Sequence, residues 1–214
     1  MSTLWHRLTL PFRRYPMLAG ILLPLIVVAT LFLAPRLMSP SSPPLDAMGR
    51  TPLTLAAERG ELETVMAMLD DGTALDGRDG CGWTALMKAA AGGHLAMLEA
   101  LLARGADIEH RDDSGYTPLM VAVVNGQEAT SRALLDAGAS VDAVDDEAGW
   151  SSLIWAARGG RMALVDLLLD HGANPTYSAQ DGTTAVYWAQ DGGHDDVAAR
   201  LGLAIAERQA ALSQ

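Results

Sequence analysis

The residue types that could carry chemistry in this sequence are few, and their spacing argues against catalysis. Asp76-Gly77-Arg78-Asp79-Gly80 places two carboxylates in a glycine-rich turn, as a calcium loop would, but Arg78 stands among the would-be ligands. Ser151-Ser152 does not form a nucleophile elbow, and no His/Asp pair is spaced to activate it. His110 and His171 have no ligand cluster around them in the sequence. Cys81 is the only cysteine, which excludes an intrachain disulfide and a cysteine-based zinc site. No P-loop or dinucleotide fingerprint occurs. The expectation is a protein that is not an enzyme, with no cofactor, no metal and no small-molecule substrate.

Charge points the same way and narrows the partners. The segment 1–45 holds four arginines and no acid, while everything after it holds 11 Lys and Arg against 26 Asp and Glu, a net charge of −15. Nucleic acid requires a positive surface, so it is excluded as a partner. A protein with a basic surface fits better. The single lysine, Lys88, among 14 arginines, together with abundant Ala and Gly, resembles the output of a GC-rich bacterial genome.

The basic flank 1–16 precedes Met17–Ala34, an apolar run without a charge. As a helix this run spans about 27 Å, close to the ~30 Å hydrocarbon core of a bilayer. Pro24 in the middle is tolerated in a membrane helix. The expectation is a transmembrane anchor at 17–34. The alternative is a cleaved signal peptide, but the apolar run is long for one, and a cut after Ala34 would put Phe32 where a small residue is needed. Arg7, Arg13 and Arg14 before the span favour a cytoplasmic N-terminus and a periplasmic remainder at an inner membrane; cleavage would instead give a soluble periplasmic protein. The segment 35–48, rich in Pro and Ser, forms an extended linker.

After the linker the sequence repeats itself. Thr51-Pro52-Leu53, Thr84-Ala85-Leu86, Thr117-Pro118-Leu119, Ser151-Ser152-Leu153 and Thr184-Ala185-Val186 recur at an even step, with a single insertion in the acidic loop before Ser151. Small pairs follow each triplet, such as Ala56-Ala57 and Ala89-Ala90, and the middle copies end in Leu101-Leu102-Ala103-Arg104-Gly105-Ala106-Asp107 and its equivalents. Leu86, Ala89 and Ala90 fall on one face of a short helix, and Leu95, Leu98, Leu101 and Leu102 form the apolar stripe of the next. Gly105 suits a left-handed helix cap. One such unit cannot bury its faces alone, so units must stack. The pattern resembles the ankyrin repeat over about 49–210. The resemblance implies an all-α repeat solenoid of about five repeats, near 49–82, 83–115, 116–149, 150–182 and 183–214, the last a solvent-facing cap. It also implies that His94 and His194, each after a glycine, support turns.

The resemblance further implies that the residue before each triplet lies on the inner, concave side. That column reads Arg50, Trp83, Tyr116, Trp150 and Thr183. Helix geometry adds a second column containing Trp155 and Trp188, with Arg158 beside Trp155 at i+3. Trp83, Tyr116, Trp150, Trp155, Trp188 and Arg158 are therefore the candidate partner-binding residues, with packing between turns as the competing role for the aromatics. The acidic loops Asp76/Asp79, Asp112/Asp113 and Asp142/Asp145/Asp146/Glu147 are either solvated turns or a rim that steers a basic partner. The expected function is a membrane-anchored protein-binding module acting as an adaptor, an inhibitor of the immunity type, or an enzyme-stabilising helper. The alternative is a multi-partner scaffold at the membrane.

Overall fold

A computed structural model describes residues 45–46 and 49–213. The flank 1–16, the expected anchor 17–34 and all of the linker except residues 45 and 46 lie outside the described residues. The described chain forms ten helices in five pairs: α1 (Pro52–Glu58) with α2 (Leu62–Asp70), α3 (Ala85–Gly92) with α4 (Leu95–Ala103), α5 (Pro118–Val124) with α6 (Glu128–Asp136), α7 (Ser152–Arg158) with α8 (Met162–Asp170), and α9 (Ala185–Asp191) with α10 (Asp195–Leu212). Among the described residues, β structure is confined to two isolated antiparallel bridges, Val144 with Ser151 and Ser178 with Thr184.

The recurring triplets start the first helix of each pair. Thr51, Thr84, Thr117, Ser151 and Thr184 are N-caps in extended conformation, and each side-chain oxygen accepts the backbone N–H three residues on, at 3.1 to 3.4 Å. Pro52 and Pro118 follow at the first helical position, where no N–H is needed. Each first helix has only seven or eight residues, too short to hold itself together in water. Its stability comes from stacking: α1, α3, α5, α7 and α9 pack in series, and α4, α6, α8 and α10 form a second series. Leu53, Leu86, Leu119 and Leu153 and the alanine pairs behind them fill the space between first helices. Leu98, Leu101, Leu134, Leu168 and Leu201 do so from the second helices.

Polar side chains tie consecutive repeats together at three levels. At the ends of α1, α3 and α5 a helix carbonyl is reached from the next repeat: His94 Nε2 lies 3.3 Å from the Glu58 oxygen, Gln127 Nε2 donates to Ala91 at 3.2 Å, and Arg161 donates to the Val123 carbonyl. In the loops, the His110 ring reaches the Gly82 carbonyl at 2.8 Å, and the Tyr177 hydroxyl donates to the Gly149 carbonyl at 2.8 Å. Beside them Asp76, Glu109 and Asp142 accept the backbone N–H of Asp107, Ser140 and Asn174 in the following repeat. The Gly105 φ of +84° is the left-handed cap the sequence suggests.

One expectation needs correction. Leu95 does not belong to the buried stripe: as the first residue of α4 it lies in an outer groove with Glu99 and Leu102, and Met97 takes the buried place. The last repeat ends in a helix of 18 residues, with Leu201 buried and Leu203 and Leu212 open to solvent. Because the N-caps are buried and repeat-wide, Thr117→Ala is expected to cost about 1 kcal/mol of unfolding free energy, and Thr117→Ser much less. Urea unfolding of the full chain measures this; an unchanged midpoint for the alanine variant would show the cap to be dispensable.

Candidate functional site

The candidate site is assembled by the loops and by the C-terminal halves of the first helices. The loop aspartates come first. Asp46, Asp79, Asp112 and Asp145 recur at one constant step along the chain. The Oδ1 of each accepts the N–H of the residue before the triplet: Arg50, Trp83, Tyr116 and Trp150, at 2.8 to 3.3 Å. These carboxylates close the hairpin loops as Asx turns. The second oxygen faces the inner side chains. Asp112 Oδ2 accepts the Trp83 indole N–H at 2.8 Å, Asp145 Oδ2 accepts the Trp155 indole N–H at 3.1 Å, and Asp79 Oδ2 pairs with Lys88 at 3.2 Å. Asp79 and Asp145 are buried. Asp79, Asp112 and Asp145 thus have a structural role in the loops, while Asp76, Asp113, Asp142, Asp146 and Glu147 are exposed. The signal for it in the sequence is the constant spacing of the aspartates.

The two aromatic columns merge into one cluster across the last three repeats. Tyr116 meets Trp155 with ring centroids 5.8 Å apart, Trp155 meets Trp150 at 4.6 Å, Trp150 meets Trp188 at 4.5 Å, and Trp188 meets Tyr187 edge-on at 5.4 Å. The Arg158 guanidinium lies over three of these rings, 5.2 Å from Trp150, 5.6 Å from Trp155 and 5.3 Å from Trp188. Tyr187, which the sequence reading does not single out, is 49 % exposed at the far end; its adjacency to Trp188 is the available clue.

The expected column of Trp83, Tyr116 and Trp150 is corrected in two respects. Trp83 stands apart from the cluster, clamped between Asp112 and the Lys88 ammonium 4.6 Å from its ring. Trp150 is only 7 % exposed, because Trp155, Trp188 and Arg158 cover it. Its indole N–H is buried without a hydrogen-bond partner. Trp155 and Trp188 are half-buried, and their N–H groups are tied down, the second to the Thr183 hydroxyl, which in turn donates to Asp181. Arg50, at the head of the column, is paired with Asp46 and Glu58.

The electrostatics of this face are negative. Burial, and then the charges of Asp145, Glu147 and Asp112, push the Tyr116 phenol up to about 12, with Arg158 opposing. Tyr116 is thus a neutral hydrogen-bonding aromatic at any physiological pH. His94 and Gly60 make the close approach the turn requires: the imidazole occupies the space a side chain on Gly60 would need. Cys81 lies exposed at a loop tip. No group of three or more His, Cys, Asp or Glu able to hold a metal occurs among the described residues.

Trp150 is the floor of the cluster. Trp150→Ala is expected to cost at least about 3 kcal/mol of stability, as for other buried large aromatics. Trp150→Phe keeps the ring contacts and removes an unpaired buried N–H, so it should lose well under half as much. Denaturant unfolding of both variants decides this; equal losses would mean that the indole N–H has a partner in solution.

The family model for ankyrin repeats matches residues 28–112, 73–145 and 138–204 of this chain. A comparison with curated proteins returns no match. Ankyrin repeats generally mediate protein–protein interaction. The capped helix pairs, the stacking of first helix on first helix and the three family matches together place the chain in the ankyrin-repeat family.

Proposed function

We propose that the protein is a membrane-anchored binding module that grips an extracytoplasmic protein partner through the aromatic face running from Tyr116 to Tyr187. One observation carries the reading: five aromatic rings from three repeats form an unbroken row, with a buried floor at Trp150 and partly exposed rims at Tyr116, Trp155, Trp188 and Tyr187. A stack needs only small side chains to close between first helices, as the alanine pairs show, so rings of this size exceed what packing requires. Rings held by their own hydrogen bonds lose little entropy on binding and bury large areas.

The membrane part of the proposal rests on the sequence. The segment 17–34 has the length and composition of an anchor, and the basic flank favours the repeats on the outer side. No helix of the described residues is long and apolar enough to cross a membrane. The net charge of −15 after residue 45 favours a partner with a basic surface, attracted at a rate that falls with salt. A bacterial inhibitor, immunity-type protein or enzyme-stabilising helper would have this design, and the chain has no catalytic role in the proposal.

In a complex with the partner recovered from native membranes, Tyr116→Ala and Trp188→Ala should each weaken binding by the folded fraction at least about tenfold, or ~1.4 kcal/mol. Trp83→Ala, outside the row, should weaken it less. Normal affinity in the folded fraction of both row variants would move the interface to another face. For topology, a reporter active only outside the cytoplasm and fused after Gln214 should be active, and extraction should need detergent. A reporter active only in the cytoplasm and working at the same site would reverse the orientation.

A further inference from the structure

Among the described residues, Arg158 is a cation without a paired carboxylate, in a domain with more than twice as many acids as bases. Of the other ten cations after residue 45, Arg50, Arg59, Arg104, Arg111, Arg132, Arg200 and Lys88 pair with carboxylates, while Arg78, Arg161 and Arg208 have no ion pair among the described residues and no contact with the aromatic rings. Arg158 makes no ion pair or hydrogen bond with any described residue; its contacts are the three tryptophan rings. The reason lies in how nearby acids are used. Both oxygens of Asp145 are taken, one by the N–H groups of Ala148, Gly149 and Trp150 and the other by the Trp155 indole. Both oxygens of Asp112 are taken likewise, by Ser114 and Tyr116 on one side and the Trp83 indole on the other. Hydrogen bonds of the loop fold occupy the oxygens of these two acids, and Glu147, the other acid acting on Tyr116, is exposed and accepts from the Ser114 hydroxyl at 3.4 Å.

We propose that Arg158 is the specificity anchor of the aromatic face and receives an aspartate or glutamate side chain of the protein partner. This rests on the binding role proposed above for that face and adds the chemistry it selects. Arg158 is an exposed residue, and ring contact uses its charge while leaving its N–H donors unspent. A cleft of about 250 Å³ opens beside it, lined by Val124, Trp155, Arg158, Gly159 and Arg161. Arg161 adds positive charge to this cleft while one of its N–H groups holds the Val123 carbonyl. The rings hold the guanidinium in place before binding, so a bidentate carboxylate contact needs little further ordering. Aromatic surface continues on both sides of Arg158, toward Tyr116 and toward Tyr187, so the fitting partner segment passes across it and places an internal acidic residue at its centre. The long-range field therefore selects a basic partner, and the local site selects one acid within it.

The test pans a displayed library of random peptides on the full chain in detergent and measures the enriched peptides as synthetic, C-terminally amidated segments by tryptophan fluorescence. The expected result is peptides sharing one Asp or Glu between apolar residues. Replacing that acid by its amide should lower affinity at least about tenfold. Arg158→Gln should cause the same loss, and the two changes together should lose no more than either alone. Arg158→Glu should bind none of these peptides while keeping its helical signal and melting temperature. The proposal is overturned if no peptide is enriched, if enriched peptides lack an acid, if the acid is insensitive to Arg158→Gln, or if a free C-terminal carboxyl is required. Binding that falls with Tyr116→Ala and Trp188→Ala but not with Arg158→Gln overturns the carboxylate anchor alone. Binding indifferent to all three variants overturns the aromatic face as well.

Discussion

Helices of seven to nine residues leave nearly as many unsatisfied backbone groups at their ends as they satisfy within, and this constraint governs nearly everything else in the domain. A first helix such as α5 survives because Thr117 caps its start and Arg161 of the next repeat holds the carbonyl of Val123 near its end. The capping side chain belongs to the same repeat and the closing side chain to the following one. Each repeat is thus finished by its neighbour, and the polar ends of the helices impose the same linear order as the apolar faces. The recurrence of His94, Gln127 and Arg161 at one position, with different chemistry but the same kind of carbonyl target, shows that position to be selected for reach and donor capacity rather than for residue type.

The same accounting explains the charge of the domain. A turn that closes on two or three backbone N–H groups needs a good acceptor, and a carboxylate serves better than any neutral side chain. Asp79, Asp112 and Asp145 are there for that purpose, and Asp76, Glu109 and Asp142 serve the step between repeats. Much of the acidity is therefore a by-product of loop construction. Charge placed for structural reasons still generates a field, so a face built this way attracts cations whether or not its acids touch them.

How much of this could be read in the sequence follows from what sets each feature. Period and helix pairing were legible because capping residue, small pair and glycine cap are local requirements that every repeat must meet. The aromatic residues were legible as candidates, but their grouping was not. The residue before the triplet and the aromatic inside the following helix belong to different sequence columns, yet Trp150 and Trp155 pack ring to ring because the hairpin folds one back against the other. Nor did the sequence separate Trp83 from the rest. The third repeat has Val121 where the fourth and fifth have Trp155 and Trp188, so no ring bridges Tyr116 to Trp83 and the row stops at Tyr116. Leu95 failed because the helical period puts it on one side with Glu99 and Leu102, while Met97, Leu98 and Leu101 make up the buried face.

The burial of Trp150 joins fold and binding face in one element. A ring that supports Trp155, Trp188 and Arg158 from beneath fixes their spacing before any partner arrives, and that spacing is set by the stacking of α7 on α9. Asp145 extends the dependence into the loop, since one carboxylate closes the hairpin before Trp150 and orients the Trp155 indole. The geometry of the face is thus determined by groups that a partner does not need to touch. Position along the array matters too. In a linear stack, where each repeat meets only its neighbours, a surface shared by the third, fourth and fifth repeats couples them, and a partner seated on it would stabilise all three together.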